Sequence, residues 1–389
     1  MVIQRKIAQH LLRLAREFPT VTIMGPRQSG KTTLSRAVFP TYDYVNLEEP
    51  DVRSLAKKDP RGFLQSHDAP MIIDEIQRVP ELLSYIQGIV DRDGGNGRYI
   101  LTGSHQPRLR AEVSQSLAGR TAILRLLPLS LSELKSAGIT GSREDWIFRG
   151  FMPRIYQQGI EPRLLYGNYF ETYIQRDVHQ LINIKDHSSF EIFVRLLAGR
   201  VGQIVNLQGM AGEIGVSSVT LGNWLSILES SYVIFRLQPY YRNLGKRLTK
   251  SPKVYFTEVG LAAYLLGIQS ADQVMQHPLF GGLFENMVVL EALKARYNAG
   301  EESNLYFYRD SRQLEVDLLL EKGLDLHTFE IKSSFTPSDE FTRGILAMKE
   351  MSNRIKSCSV VYSGELIKNY KGCRFVNFAD FGDEEPFLG

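Results

Sequence analysis

At 389 residues, with 43% hydrophobic and 23% charged residues, the chain has the composition of a soluble globular protein and is too long for one ordinary core. Its 46 basic and 43 acidic residues leave a net charge of only +3, so any electrostatic footprint for a nucleic acid or a protein partner has to be local. Cys358 and Cys373 have no metal-ligand spacing around them, which speaks against a disulfide scaffold or a zinc site and for a reducing compartment.

The first fifteen residues mix Arg5, Lys6 and Arg13 into an apolar helical period that lacks the form of a secretory signal. No apolar run approaches the ~20 residues that span a bilayer, so a cytoplasmic protein with no membrane partner is expected. From about residue 18 to 127, short apolar runs alternate with helical periods, the pattern of an α/β fold with a parallel sheet. Strands are predicted over 21–24, 44–47, 71–74, 99–102 and 122–126. Residues 130–197 read as mostly helical. A helix–turn–helix pattern follows over 207–228, then strands over 232–237 and 254–256. After Pro278 a helix over 283–297 precedes strands over 305–308, 315–320 and 327–332. Domain borders are placed near Gly138, Leu197 and Gln276.

Gly25-Pro26-Arg27-Gln28-Ser29-Gly30-Lys31-Thr32 fits GxxxxGK[ST], entered by an apolar strand and left by a helical period that begins at Thr33. Its glycines let backbone N–H groups wrap around phosphates, and the helix N-terminus adds its positive dipole end. Lys31 would reach the β- and γ-phosphates of ATP, and Thr32 would place its hydroxyl on Mg²⁺. Met71-Ile72-Ile73-Asp74-Glu75 is an apolar strand ending in two acids. Asp74 takes the second Mg²⁺ anchor, and Glu75 the base that polarises the attacking water. A third apolar strand ends in Thr102-Gly103-Ser104, and Thr102 or Ser104 would sense the γ-phosphate. Charge on the transferring phosphoryl group also calls for an arginine. Arg120 is the first candidate, with Arg108, Arg110 and Arg176 behind it. If Arg120 acts across a subunit interface, the chain is a homo-oligomer.

These residues resemble the bacterial and archaeal AAA+ type ATPases whose C-terminal half is a domain of unknown function, DUF4143. Carrying the resemblance are Gly25 to Thr32, Ile73-Asp74-Glu75-Ile76-Gln77, Ile100-Leu101-Thr102-Gly103-Ser104 and Leu117-Ala118-Gly119-Arg120. Gly150-Phe151-Met152-Pro153 and Tyr169-Phe170-Glu171-Thr172-Tyr173-Ile174 add to it. It covers nearly the whole chain and supplies no substrate.

The middle segment reads as a winged helix with Trp224 and Leu225 facing the core, and the resemblance implies the same. Its recognition helix brings no Lys or Arg. The expected wing, Tyr240 to Lys253, carries Arg242, Lys246, Arg247, Lys250 and Lys253 with two tyrosines and no acid. That segment suits a nucleic-acid backbone, DNA before RNA, or an acidic protein surface. In the C-terminal segment, Glu330 and Lys332 share a strand face and Asp317 comes from the neighbouring strand. The cluster resembles the PD-(D/E)xK nuclease core, and Glu285 matches the acid on that core's first helix. Its carboxylates (Glu285, Asp317, Glu330) would hold Mg²⁺ or Mn²⁺, and Lys332 would orient the attacking water.

The expected architecture is therefore a P-loop AAA+ ATPase core over 1–137, a helical lid or connector over 138–196, a winged helix over 197–275 and a nuclease-like α/β domain over 276–389. Two functions remain open. One is ATP hydrolysis coupled to nucleic-acid processing with metal-dependent cleavage; the other is an ATP-dependent switch whose C-terminal fold binds nucleic acid or protein without cutting.

Overall fold

The computed structural model describes residues 2–67, 69–104, 113, 115–178, 187–241 and 251–387. They form two compact units. The first comprises the residues up to Leu129 with 230–232 and 297–300, and the second comprises the rest.

In the first unit the strands are β1 (Thr20–Gly25), β2 (Asp43–Asn46), β3 (Met71–Asp74), β4 (Tyr99–Ser104) and β5 (Thr121–Arg125). They lie in the order β2-β3-β4-β1-β5, and every pairing is parallel. Every residue of β1, β3 and β4 is buried, as a parallel sheet covered on both faces requires. Alternation along β1 sends Val21 and Ile23 to one core with Ile72, Ile100 and Leu124. Met24 goes to the other, with Val45, Ile73, Leu101 and Ile86. Helix α1 (Ala8–Glu17) closes the first core with Leu11, Leu14 and Ala15, a stripe at helical spacing. Parallel strands bring their C-terminal ends to one edge, so Gly25, Asp74 and Ser104 end up side by side, where α/β sheets bind ligands.

The second unit combines helices with an eight-stranded mixed sheet. Its strands are β6 (Ile234–Pro239), β7 (Lys253–Phe256), β8 (Leu305–Arg309), β9 (Glu315–Lys322), β10 (Asp325–Lys332), β11 (Ile355–Tyr362), β12 (Asn369–Tyr370) and β13 (Cys373–Asn377). They lie in the order β12-β13-β11-β10-β9-β8-β6-β7. The helix–turn–helix pattern is present as Leu207–Ile214 and Ser218–Ser230 around Gly215, and Trp224 packs against Phe190 and Phe193. Its two following strands, β6 and β7, pair antiparallel as a wing would. They do not stand alone, however. β6 also pairs with β8 through Gln238 and Pro239, which extends the C-terminal sheet into the middle segment. Strands β11, β12 and β13 carried no expectation from sequence.

Gly150 shows why the segment Gly150-Phe151 is built as it is. Glu258 is buried and accepts the N–H groups of Phe151 at 2.8 Å and Gly260 at 3.2 Å, while Tyr166 donates to the Arg149 carbonyl. A Cβ on Gly150, whose φ is 66°, would lie 2.0 Å from the Glu258 carboxylate and 2.1 Å from the Tyr166 hydroxyl. No side chain fits there.

Candidate functional site

The nucleotide site grows from the junction of β1 and helix α2 (Lys31–Val38). Gly25 is required by close approach, because a Cβ would come within 2.0 Å of the Leu126 carbonyl oxygen. The turn that follows, Pro26 to Gly30, holds Gln28 at φ 63° and Gly30 at φ 95°, and delivers Lys31 at the start of the helix. Lys31 Nζ donates to the carbonyls of Gly25 at 3.1 Å and Pro26 at 2.8 Å, inside the loop. Burial lowers its pKa to about 8, against the raising influence of Glu75 and Asp74. Arg27 lies 3.6 Å from Glu48, and Ser29 is buried.

The two halves of the expected Mg²⁺ site meet. Thr32 Oγ1 donates to Asp74 Oδ2 at 2.8 Å, and Asp74 is only 5% exposed. Tyr44 from β2 donates to the same oxygen at 2.9 Å, and Thr102 from β4 donates to Oδ1. Burial and Asp74 together hold the Tyr44 phenol well above its ordinary pKa, so it stays a donor. A hydroxyl and a carboxylate converging on one point fit Mg²⁺, which takes one or two protein oxygens and completes its shell with phosphates and water. Glu75 follows in a left-handed conformation, φ 56°, and its N–H donates to Thr102 Oγ1 at 3.4 Å. Its Oε2 accepts from Gln77 Nε2 and, at 3.3 Å, from Ser104 Oγ. Thr102 and Ser104 thus both face the acids, Thr102 on Asp74 and Ser104 on Glu75. A cavity of about 490 Å³ opens beside Thr32 and Thr33, walled by Arg36, Phe39, Tyr42 and Tyr44.

Three contributors to this site were not assigned a role by sequence. Arg5 donates to the Ser29 carbonyl at 2.8 Å and to the Leu127 carbonyl at 2.7 Å, tying the phosphate loop to the end of β5. Tyr44 and Gln77 are the others. Gln77 stood in a motif that carried the resemblance, whereas Arg5 and Tyr44 left no local signal.

Arg120 stands apart from the site. It precedes β5, and Thr121 pairs with Thr20 at the start of β1, whereas the phosphate loop leaves the other end. Five strand residues separate the two, roughly 17 Å. Its guanidinium holds Asp91, with Nη2 2.9 Å from Oδ2. Whether Arg120 would act within its own chain or across a subunit interface was left open by the sequence; at that distance it does not reach this chain's own phosphate loop. Arg108 and Arg110 lie outside the described residues, as does the Arg176 side chain.

In the second unit, β9 and β10 bring Asp317, Glu330 and Lys332 together. Lys332 Nζ lies 2.7 Å from Glu330 Oε1 and 3.4 Å from Asp317 Oδ2, and that same oxygen accepts the Ile331 N–H at 2.8 Å. Glu285 lies elsewhere in the cluster, held by Lys253 Nζ at 2.9 Å and the Tyr255 hydroxyl at 2.6 Å. Lys253 also meets Glu315 at 2.6 Å and is 3% exposed. Burial alone would lower the pKa of Lys253, but Glu285, Tyr255, Asp317 and Glu315 hold it well above its ordinary value. Burial, then Asp317, pushes Glu330 up.

One expectation is corrected here. Lys253 is no part of a phosphate-gripping wing, because it is buried between carboxylates; Arg242, Lys246, Arg247 and Lys250 lie outside the described residues. The expected Mg²⁺ or Mn²⁺ ion on Glu285, Asp317 and Glu330 finds no support: Lys253 pairs with Glu285 and Lys332 with Asp317 and Glu330, and among the described residues no three His, Cys, Asp or Glu side chains form a group able to hold a metal.

Three family models match successive parts of the chain. Residues 17–135 match the family model described as an AAA domain, 280–381 that of the domain of unknown function DUF4143, and 140–272 that of the domain of unknown function DUF8612. An uncharacterized protein of Mycobacterium tuberculosis is 31% identical over 369 residues, covering 94% of this chain and 81% of that protein. One from Haemophilus influenzae is 21% identical over 388 residues, covering 91% and 92%. Among solved structures, the Walker-type ATPase of Pyrococcus abyssi is 14% identical, covers 68% of this chain and 96% of that one, and superposes with a TM-score of 0.46.

Sheet order, phosphate loop and acidic strand end define a P-loop ATPase fold of AAA+ type, one that supports binding and hydrolysis of ATP. The chain belongs to the family that joins an AAA domain to a C-terminal DUF4143 domain. Among the described residues no helix is long and apolar enough to cross a membrane.

Proposed function

We propose that this chain is a Mg²⁺-dependent ATPase that works as a switch, and that its C-terminal unit engages a partner, DNA before RNA, without cutting it. The observation that carries the ATPase reading is the meeting of Thr32 and Asp74 at 2.8 Å beside Lys31. Gly25 to Thr33 cradle the phosphates, Lys31 faces the β- and γ-phosphates, and Thr32 and Asp74 hold Mg²⁺. When bound, the ion offsets charge on the transferring phosphoryl oxygens. Glu75 takes a proton from water as its oxygen attacks the γ-phosphorus, while the bond to the β-phosphate oxygen breaks. The reading of the C-terminal unit is supported by Lys253 and Lys332, which form ion pairs with the carboxylates of Glu285, Glu315, Asp317 and Glu330.

The lowered pKa of Lys31 makes ATP affinity depend on pH. Below about 8 the ammonium is already present in the free protein, and affinity is flat. As pH rises through that value, a proton must be taken up on binding. Calorimetry at pH 7 and pH 9 should show affinity about tenfold weaker at pH 9, one unit above the free pKa. Lys31→Ala should bind weakly and with no such slope. Equal wild-type affinity at both pH values would remove Lys31 from the phosphate contact.

Nucleic-acid binding would come from the basic residues after Tyr241. Replacing Lys246, Arg247 and Lys250 with alanine should flatten the dependence of log affinity on log salt by about 2 to 3. Supercoiled DNA incubated with Mg²⁺ or Mn²⁺ in the same series should remain unnicked. An unchanged slope would return this segment to a solvated loop, and metal-dependent nicking lost in Lys332→Ala would restore the nuclease.

A further inference from the structure

We infer that Gln77 is the positioning residue that sets the general base: its side-chain amide fixes Glu75 against Ser104 and aims one carboxylate oxygen at the attacking water. The inference rests on the ATPase reading above and adds to it a residue with no assigned role.

The local backbone brings this about. β3 ends at Asp74, Glu75 takes a left-handed conformation that a residue with a side chain adopts rarely, and Ile76–Arg78 make a single tight turn. Ile76 and Val79 are fully buried, so the core pins the turn on both sides of Gln77. The turn carries the Gln77 side chain back over the residue two places before it. There Nε2 donates to Glu75 Oε2 and, at 2.9 Å, to Ser104 Oγ at the end of β4, while Ser104 Oγ in turn donates to Glu75 Oε2 at 3.3 Å. The three groups close a ring. Its sense is fixed by chemistry, because a carboxylate only accepts and the amide must therefore present its nitrogen.

The ring has a consequence for the base. Both donors fall on Oε2, which leaves Oε1 as the oxygen to take a proton from water. A free glutamate side chain would sample several rotamers, and catalysis by a base demands one. An amide suits the task because it donates without titrating and without adding charge beside Lys31. Ser104 ties the pair to β4, so Asp74, through Thr102, and Glu75, through Ser104, are both oriented from the same strand.

A merely structural pin predicts other behaviour, and a double-mutant cycle separates the two. Gln77→Ala should lower kcat about 10²-fold, the cost of a misplaced base, with KM for ATP within about twofold of wild type. Gln77→Glu, of equal length but with no N–H to give, should lose at least as much. In a Glu75→Gln background the same Gln77→Ala change should alter the residual rate by less than about twofold, because the group it orients is gone. Equal losses in both backgrounds, or a rise in KM that accounts for the loss, would overturn the inference. Unfolding midpoints of the wild type, Gln77→Ala, Glu75→Ala and the double variant give a readout that needs no turnover, and zero coupling between positions 75 and 77 would overturn the clamp itself. A wild-type protein that hydrolyses no ATP would instead sink the ATPase reading, leaving the clamp to be decided by the unfolding cycle.

Discussion

Glu75→Gln is expected to bind ATP as the wild type does and to hydrolyse it more slowly by about 10²- to 10⁴-fold, the usual worth of a positioned base. The amide keeps the size and shape of the carboxylate but cannot accept the proton of the attacking water. Nucleotide affinity should survive, because Lys31, Thr32 and the phosphate loop hold the ligand independently of Glu75. The ring around Glu75 can still close on the amide oxygen. Gln77 Nε2 and Ser104 Oγ both donate to Oε2 of Glu75, and an amide can present its oxygen to them only by turning its own nitrogen toward the water. The variant therefore loses the base and keeps the geometry, a loss confined to the transition state. Single-turnover hydrolysis beside calorimetric binding measures both sides. Wild-type turnover in this variant would assign the base elsewhere. A loss of binding equal to the loss of rate would show that Glu75 holds the nucleotide and takes no proton.

The sequence showed the nucleotide site in outline because its chemistry is written locally. Eight consecutive residues, Gly25 to Thr32, make the phosphate loop, and the apolar run before Asp74 announces a buried strand ending in acids. Strands buried on both faces read as continuous apolar runs, so β1, β3 and β4 fell close to their observed bounds. What escaped was set by contacts distant in sequence. Arg5 interrupts an apolar period and looks like a solvated charge; its partners lie 24 and 122 residues away. Tyr44 reaches Asp74 across 30 residues. For Arg120 the sequence left open whether it serves its own chain or a second copy. Parallel strands have two ends, and the register of Thr121 with Thr20 puts it at the end away from the phosphate loop. Lys253 ends a run of basic residues and was read as exposed with them. Its burial is decided by Glu285 and Glu315, which no periodicity around position 253 could reveal.

Lys253→Met should destabilise the second unit by about 3 to 5 kcal/mol, the cost of removing one partner from a buried ion pair. The methionine fills nearly the same volume, so packing is largely kept and the loss is electrostatic. Glu285 would be left buried with the Tyr255 hydroxyl as its remaining donor, and Glu315 and Asp317 would lose a cation that offsets their mutual repulsion. Both tryptophans, Trp146 and Trp224, lie in the second unit, so their fluorescence in urea reports its unfolding directly. Combining Lys253→Met with Glu285→Gln should recover much of the loss, because the stranded charge is then gone. The same measurement examines metal. Millimolar Mg²⁺ or Mn²⁺ should leave the wild-type transition where it is, since Lys253 and Lys332 already pair with these carboxylates. In Lys253→Met, metal should raise the midpoint by restoring a cation to Glu285 and its neighbours. A wild-type midpoint that rises with metal, and falls back in Asp317→Ala, would show that the lysines yield to a divalent ion. A Lys253→Met protein as stable as wild type would mean that this pair is screened by solvent and holds nothing in place.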